Sequence, residues 1–360
     1  HAPDWTPNDN DIPSFMKVKG DEIQNKNSQY IEDRHLPEDF PPMTVEKHAE
    51  PTSGYLFLTP FAYRDSTLSN YQVIMDNWGT PVFYNKYQSD KFEAELKMNK
   101  NGYLSYFKTS EFSYFTFFDS SFNKVGFVEY GNGYATDFHE LVVTEDNHKW
   151  VMTYDHQWVD MSDSLENGMP DTEIIGLIIQ ELDEKDRVIF QWRSWDNYSV
   201  FDAIIPDARL DTNNKPLDVV HGNAIEIESD TSILISCRNL SEITKIDRRT
   251  GDIIWRFGGK NNMFDIKNDD RIISWQHDCR RWENGNLTIF DNGVHHDEPW
   301  SSAVEYKLDE ENLTAELVYR RKINEEHLAH VTGSSRYLDN GNLLVSWGSA
   351  RFPNISEYDP

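Results

Sequence analysis

The sequence predicts an all-β chain built as a six-bladed β-propeller of four-stranded antiparallel blades. Three observations carry that prediction. From Gly54 onward, short β-rich runs alternate with turn residues. The runs fall into six passes with a period near 40 to 50 residues. Each pass follows one order: strand, Asn-Gly or acidic turn, strand, loop, strand ending in Asp, turn, strand. A pair of β-sheets in a sandwich would share the alternation, but sandwiches seldom repeat the Asp–turn–Trp/Phe ending so often.

Taken in order, residues 1 to about 50 are polar and proline-rich and read as an extended N-terminal arm on the domain surface. Residues 51–360 form the propeller. The first unit is GYLFLTPF followed by YQVIMDNWGTPVFYNK. The second, FEAELKMNKNGYLSYF and YFTFFDSSFNKVGFVEY, turns at Asn101-Gly102. The third runs from DFHELVVTEDNHKWVMTYD to IIGLIIQELDEKDRVIFQWRSW, with a polar insertion from Gln157 to Thr172. The fourth is HGNAIEIESDTSILISCRNLSEITKIDRRTGDIIWRFGG. The fifth, WQHDCRRWENGNLTIFDNG and SAVEYKLDEENLTAELVYRRK, turns at Asn284-Gly285. The sixth begins GSSRYLDNGNLLVSWGS and stops before its last strand, so the sixth blade is incomplete at the C-terminus.

Composition narrows the function. With 38% hydrophobic and 13% aromatic residues, 360 residues suffice for a large core of Trp, Tyr and Phe. A formal net charge of −28 repels nucleic acid and anionic membrane surfaces. It still permits a small anionic substrate, because a few cationic groups can dominate a narrow site. No apolar run approaches the length that spans a membrane. The start, HAPDWTPNDND, shows no signal peptide, as expected of a mature secreted chain or a trimmed one. The two cysteines, Cys237 and Cys279, are too few for a disulfide scaffold and lack metal spacing; one bridge or two buried thiols both fit.

Blades three, four and five each place a histidine at the same point, seven to nine residues before the first turn: His139, His221 and His277. Equivalent positions on the first strands of a propeller approach one another, and Arg238, on the second strand of blade four, joins them. Three imidazoles can bind zinc with an open position, or form a pocket in which one is a nucleophile. Glu140 and Asp278 neighbour two of the histidines, but strand alternation sends them to the other face. Arginine suits a sulfate or phosphate better than a metal ion. No metal or cofactor is therefore expected.

The strings DFHEL, VVHGNAIEI, ISCRNLSEITKIDRRTGDIIWRFGGKNN and QHDCRRWENGNLTIFDNG resemble the arylsulfotransferases that use no nucleotide sulfate donor, in particular their secreted bacterial branch. The resemblance covers Gly54 to Asp359. It implies a sulfuryl group moved from an aryl sulfate to a phenolic acceptor through a sulfated histidine, in a secreted or extracytoplasmic protein. By position His277 matches the histidine that is sulfated. His139, His221 and Arg238 match the groups that hold the sulfate and the departing phenolate oxygen. Asn223 offers a further neutral donor to the sulfate, or a strand-end hydrogen bond. One element departs: many members read Ser-Trp-Asp-His where this chain has Trp195-Asp196-Asn197.

Two other readings stay open. One is a hydrolase or lyase, metal-assisted in one version, and the other a non-catalytic propeller that binds a sulfated glycan or a protein. Trp158, Trp195, Trp275 and Trp300 can stack on a phenol, whereas Trp192 and Trp255 fit packing between blades. His295, His296, His327 and His330 read as solvated loop histidines.

Overall fold

The computed structural model of the chain describes residues 28–30, 36–46, 49–60, 67–87, 92–109, 113–164, 168–204, 216–229, 231–350 and 354–359. Most of the expected N-terminal arm lies outside the described residues. The fold is an all-β, six-bladed β-propeller: six sheets of three to five strands follow one another along the chain. Two compact units divide it, His1–Lys149 with Leu182–Arg187, and Trp150–Glu181 with Val188–Pro360.

In the first unit, the first sheet joins Tyr55–Leu58, Asn70–Asp76 and Pro81–Tyr87, and the second joins Glu93–Met98, Leu104–Lys108, Tyr114–Phe118 and Lys124–Val128. Ile74, Phe83, Leu96 and Leu104 share one apolar cluster. Part of the N-terminal region docks on the first sheet. Phe40 is buried with Tyr71, Val73 and Met75, and the Asp39 carboxylate accepts hydrogen bonds from Ser69 Oγ (2.6 Å), Tyr71 Oη (2.7 Å) and Lys86.

The third sheet, along which the chain passes between the units, orders Leu141–Val143, Lys149–Val159, Thr172–Leu182 and Val188–Arg193. In the second unit, the fourth sheet orders Gly222–Ile227, Ser232–Cys237, Glu242–Asp247 and Ile253–Gly258. The fifth carries His277–Arg281, Leu287–Asp291, Ser302–Asp309 and Thr314–Arg321, and the sixth Ser334–Tyr337, Leu343–Ser346 and Ile355–Tyr358. Leu234, Ile243, Trp255, Phe257 and Ile289 form the core of the fourth and fifth sheets, so Trp255 packs as expected. Two additions break the hairpin order. Leu217–Asp218 pairs in parallel with Thr172–Leu182, and Asp265–Lys267 in parallel with Thr314–Arg321.

The turns explain the recurring Asp. Among the described residues one five-residue loop recurs at seven hairpins: the first residue exchanges backbone hydrogen bonds with the fourth and fifth, as at Asp76–Thr80, Asp183–Arg187 and Trp282–Asn286. Only the fourth residue takes a positive φ, +85° at Gly285. This is a three-residue hairpin ending on a left-handed residue, rather than the two-residue Asn-Gly turn. Where the strand ends in Asp, its carboxylate receives two backbone N–H groups: Asp76 from Trp78 and Thr80, Asp119 from Ser121 and Asn123, Asp183 from Lys185 and Arg187.

Both cysteines are free and fully buried. Burial pushes both thiols well above the usual range.

Candidate active site

His277 lies on the first strand of its sheet as expected, while His139 and His221 fall just before theirs. His139 precedes Leu141–Val143 by two residues, His221 precedes Gly222–Ile227 by one, and His277 is the first residue of its strand. Arg238 likewise lies one residue beyond Ser232–Cys237, in a 3₁₀ turn (Arg238–Leu240). These are corrections of one or two residues, and they have a cause. A strand end frees the backbone to bend: His221 takes φ +50° and Asp278 φ +50°, the latter inside a bulge between His277 and Cys279.

One arrangement recurs at all three of these histidines. Each imidazole engages a side-chain oxygen through Nδ1: His139 with Asp137 Oδ1 (2.7 Å), His221 with Asp218 Oδ2, and His277 with Asn292 Oδ1 (2.7 Å). A carboxylate can only accept, so His139 and His221 carry their proton on Nδ1. Asn292 gives the same answer for His277 by a longer route. Its Nδ2 donates to the carbonyls of Ala329 and Thr332, each at 2.9 Å, so the amide cannot be reversed and its oxygen must face the ring. His277 is therefore the Nδ1–H tautomer, and its Nε2 carries the lone pair. Consistently, Nε2 accepts the Thr332 N–H at 3.3 Å, at the long end for such a bond.

The partners differ in charge. A carboxylate compensates the positive charge an imidazole acquires on taking a proton at Nε2, whereas an amide oxygen does not. A carboxylate therefore backs His139 and His221, and a neutral amide backs His277.

In the second unit, short links assemble His277, His221, Arg238 and Asn223. The backbone N–H of Arg238 donates to the His221 carbonyl at 3.0 Å. Asn223, buried two residues after His221, donates from Nδ2 to the carbonyl of Gln276 at 2.8 Å, the residue before His277. Arg238 lies over the Trp275 ring (4.6 Å) and donates from Nε to Asn239 Oδ1 (3.0 Å), and Asn239 in turn donates to the carbonyl of Asp218 at 2.6 Å. His139 belongs to the first unit, where its ring stacks on Phe138 at 4.1 Å.

The carboxylates next in sequence to the histidines serve elsewhere. Glu140 pairs with Lys97 at 2.7 Å, and Asp278 with Arg280 and Arg336, each at 2.8 Å. Among the described residues no three of His, Cys, Asp and Glu converge on a point that would hold a metal. Of the other histidines, His327 is a correction: it is buried edge-on against Trp347, and burial pushes its imidazole below the usual range. His296 stands 3.6 Å from Asp291, while His295 and His330 are exposed. The tryptophans divide too. Arg238 covers Trp275, Arg271 and Lys322 lie over Trp300, and Trp158 stands open.

Asn292, Asp137 and Asp218 went unread in the sequence. The Asp residues carried a signal, preceding their histidines by two and three positions. Asn292 did not, because Asn292-Gly293 after a strand reads as a turn.

No curated protein matches the chain. Among solved structures, a protein of unknown function from Bacteroides caccae is 12% identical over 86% of this chain and 90% of its own, with a TM-score of 0.50. Virginiamycin B lyase from Staphylococcus aureus is 12% identical over 90% and 89%, with a TM-score of 0.42. At 12% identity the first is a likeness of fold alone. The sequence model of the arylsulfotransferase (ASST) family matches residues 112–360. That span contains all three histidines, Arg238 and Asn292. The chain belongs to the arylsulfotransferase family.

Proposed function

We propose that this arylsulfotransferase works in two halves through a sulfated His277. The Nε2 lone pair of His277 attacks the sulfur of an aryl sulfate, the sulfur–oxygen bond to the ring breaks, and the phenolate leaves. The leaving oxygen takes a proton from Nε2 of His221, which enters the step doubly protonated with Asp218 balancing its charge. An acceptor phenol then returns that proton to the same imidazole as its oxygen attacks sulfur and the nitrogen–sulfur bond breaks. Arg238 is the cation for the sulfuryl oxygens, on which charge is spread in such transfers.

The observation that carries this reading is the neutral amide behind His277. Nδ1–H stays on Asn292 throughout, so the sulfated ring keeps its positive charge and remains a good leaving group. A carboxylate in that place would stabilise the charged ring and make it a poorer sulfuryl donor.

The test is intact-protein mass after brief exposure to 4-nitrophenyl sulfate without acceptor, in wild type and His277→Ala. The expected result is an acid-labile gain of one sulfuryl group, mapped to His277 and absent from the variant. Phenol release without any gain would assign the site to direct hydrolysis. A secreted or extracytoplasmic setting, the remaining part of the proposal, is checked by fractionating the producing cell.

A further inference from the structure

The second and third strands of the third sheet, Lys149–Val159 and Thr172–Leu182, have eleven residues each, against five to eight in the corresponding strands of the fifth sheet. Their ends run together as a hairpin, tied by the Met161 N–H to the Met169 carbonyl at 2.9 Å. On a strand, alternate residues share a face. One face here presents Tyr154, His156 and Trp158. The other is braced: Asp155 pairs with Arg193 at 3.3 Å and accepts from Gln157 Nε2 at 2.9 Å.

The open face begins at the candidate site. The Tyr154 ring lies 5.7 Å from the His221 ring, and its hydroxyl donates to the Gly222 carbonyl at 3.4 Å. Two residues on, His156 is held by Glu173 on the paired strand, Nδ1 to Oε1 at 2.8 Å. Two further, Trp158 is 66% exposed, the most exposed large hydrophobic side chain among the described residues. From Tyr154 to Trp158 the strand advances about 13 Å. Three flat rings thus line one rigid face, leading from His221 into solvent.

We infer that this ladder is an acceptor subsite for elongated phenols that carry a second aromatic ring. The inference rests on the transfer proposed above, because that reading puts a phenol beside His221. The ring bearing the hydroxyl reaches His221, and the distal ring lies on Trp158. An acidic exterior of net charge −28 favours neutral, polyaromatic acceptors over sulfated ones on this open face.

The experiment compares phenol with 4-hydroxystilbene as acceptors in wild type, Trp158→Ala and Trp158→Phe. The ratio of kcat/KM for the two-ring over the one-ring acceptor should fall about 5- to 10-fold in Trp158→Ala and recover in Trp158→Phe. An unchanged ratio in Trp158→Ala overturns the inference. Calorimetric binding of 4-hydroxystilbene to His277→Ala, with and without Trp158→Ala, separates the two readings. If Trp158 governs binding while wild type transfers nothing, the reaction proposed is wrong and the ladder stands. If wild type transfers but Trp158 affects neither binding nor the ratio, the ladder is wrong.

Discussion

Asn292 Oδ1 stands 2.7 Å from His277 Nδ1 while the same amide spends Nδ2 on the carbonyls of Ala329 and Thr332. One side chain therefore fixes both the imidazole and the loop in front of it. Asn292→Asp keeps the shape and inserts a charge. The carboxylate favours the protonated ring, so the acid limb of kcat/KM should move to higher pH by about 1 to 3 units. It also faces two carbonyls it can no longer bond, which should cost about 1 to 3 kcal/mol of stability. The pH–rate profile and urea unfolding of the variant check the two effects separately.

Under the proposed transfer His221, backed by Asp218, protonates the leaving oxygen, so its removal should be felt most where the leaving group is basic. His221→Ala should lower kcat/KM by about 10² or more for the sulfate of a weakly acidic phenol, and far less for 4-nitrophenyl sulfate. A series of aryl sulfates of graded acidity, read as the slope of log rate against phenol acidity, measures this. Equal losses across the series would leave His221 as a sulfate ligand rather than an acid.

Asp278 should make the stability of the fold depend on acid. Burial raises its carboxyl, but Arg280 and Arg336 outweigh that and hold it at about 2. A depressed value means stability is fully present above the unfolded carboxyl range near about 4 and is lost as pH falls through about 2. Unfolding free energy should therefore decline from pH 4 to 2. Asp278→Asn should remove about 2 kcal/mol at pH 7 and narrow its gap to wild type over that acid window. Urea titrations at several pH values decide it.

The two thiols should be silent in the native protein. Cys237 and Cys279 are fully buried, and burial pushes both well above the usual thiol range. A chromogenic disulfide reagent at pH 8 should find no fast equivalent in the native chain and two after unfolding. Two fast equivalents before unfolding would contradict the burial.

The six-unit repeat was legible because it rests on periodicity, which short strands with one buried face impose. The parallel strands Leu217–Asp218 and Asp265–Lys267 were not, since two or three residues have no period. At the site, register alone picked out His139, His221 and His277. What register could not show is the oxygen behind each ring, on Asp137, Asp218 and Asn292. The last was hidden because an Asn-Gly pair is ambiguous until burial is known, and Asn292 has no exposure at all.

The hairpin loops have one more consequence. Their fourth position favours glycine, yet Phe122, Asn147 and Asp186 occupy it at φ +59°, +65° and +59°. Each has a reason to endure that strain of about 1 kcal/mol. The Phe122 ring stacks on Phe83 of the first sheet at 4.1 Å, Asn147 accepts from Asn101 of the second sheet at 2.9 Å, and Asp186 pairs with Lys149 at 2.8 Å. The loop tips in the first unit are thus rivets between neighbouring pieces of chain. A glycine graft there would relax the backbone and still loosen the assembly, so consensus turn repair is the wrong route to a hardier enzyme at these three sites.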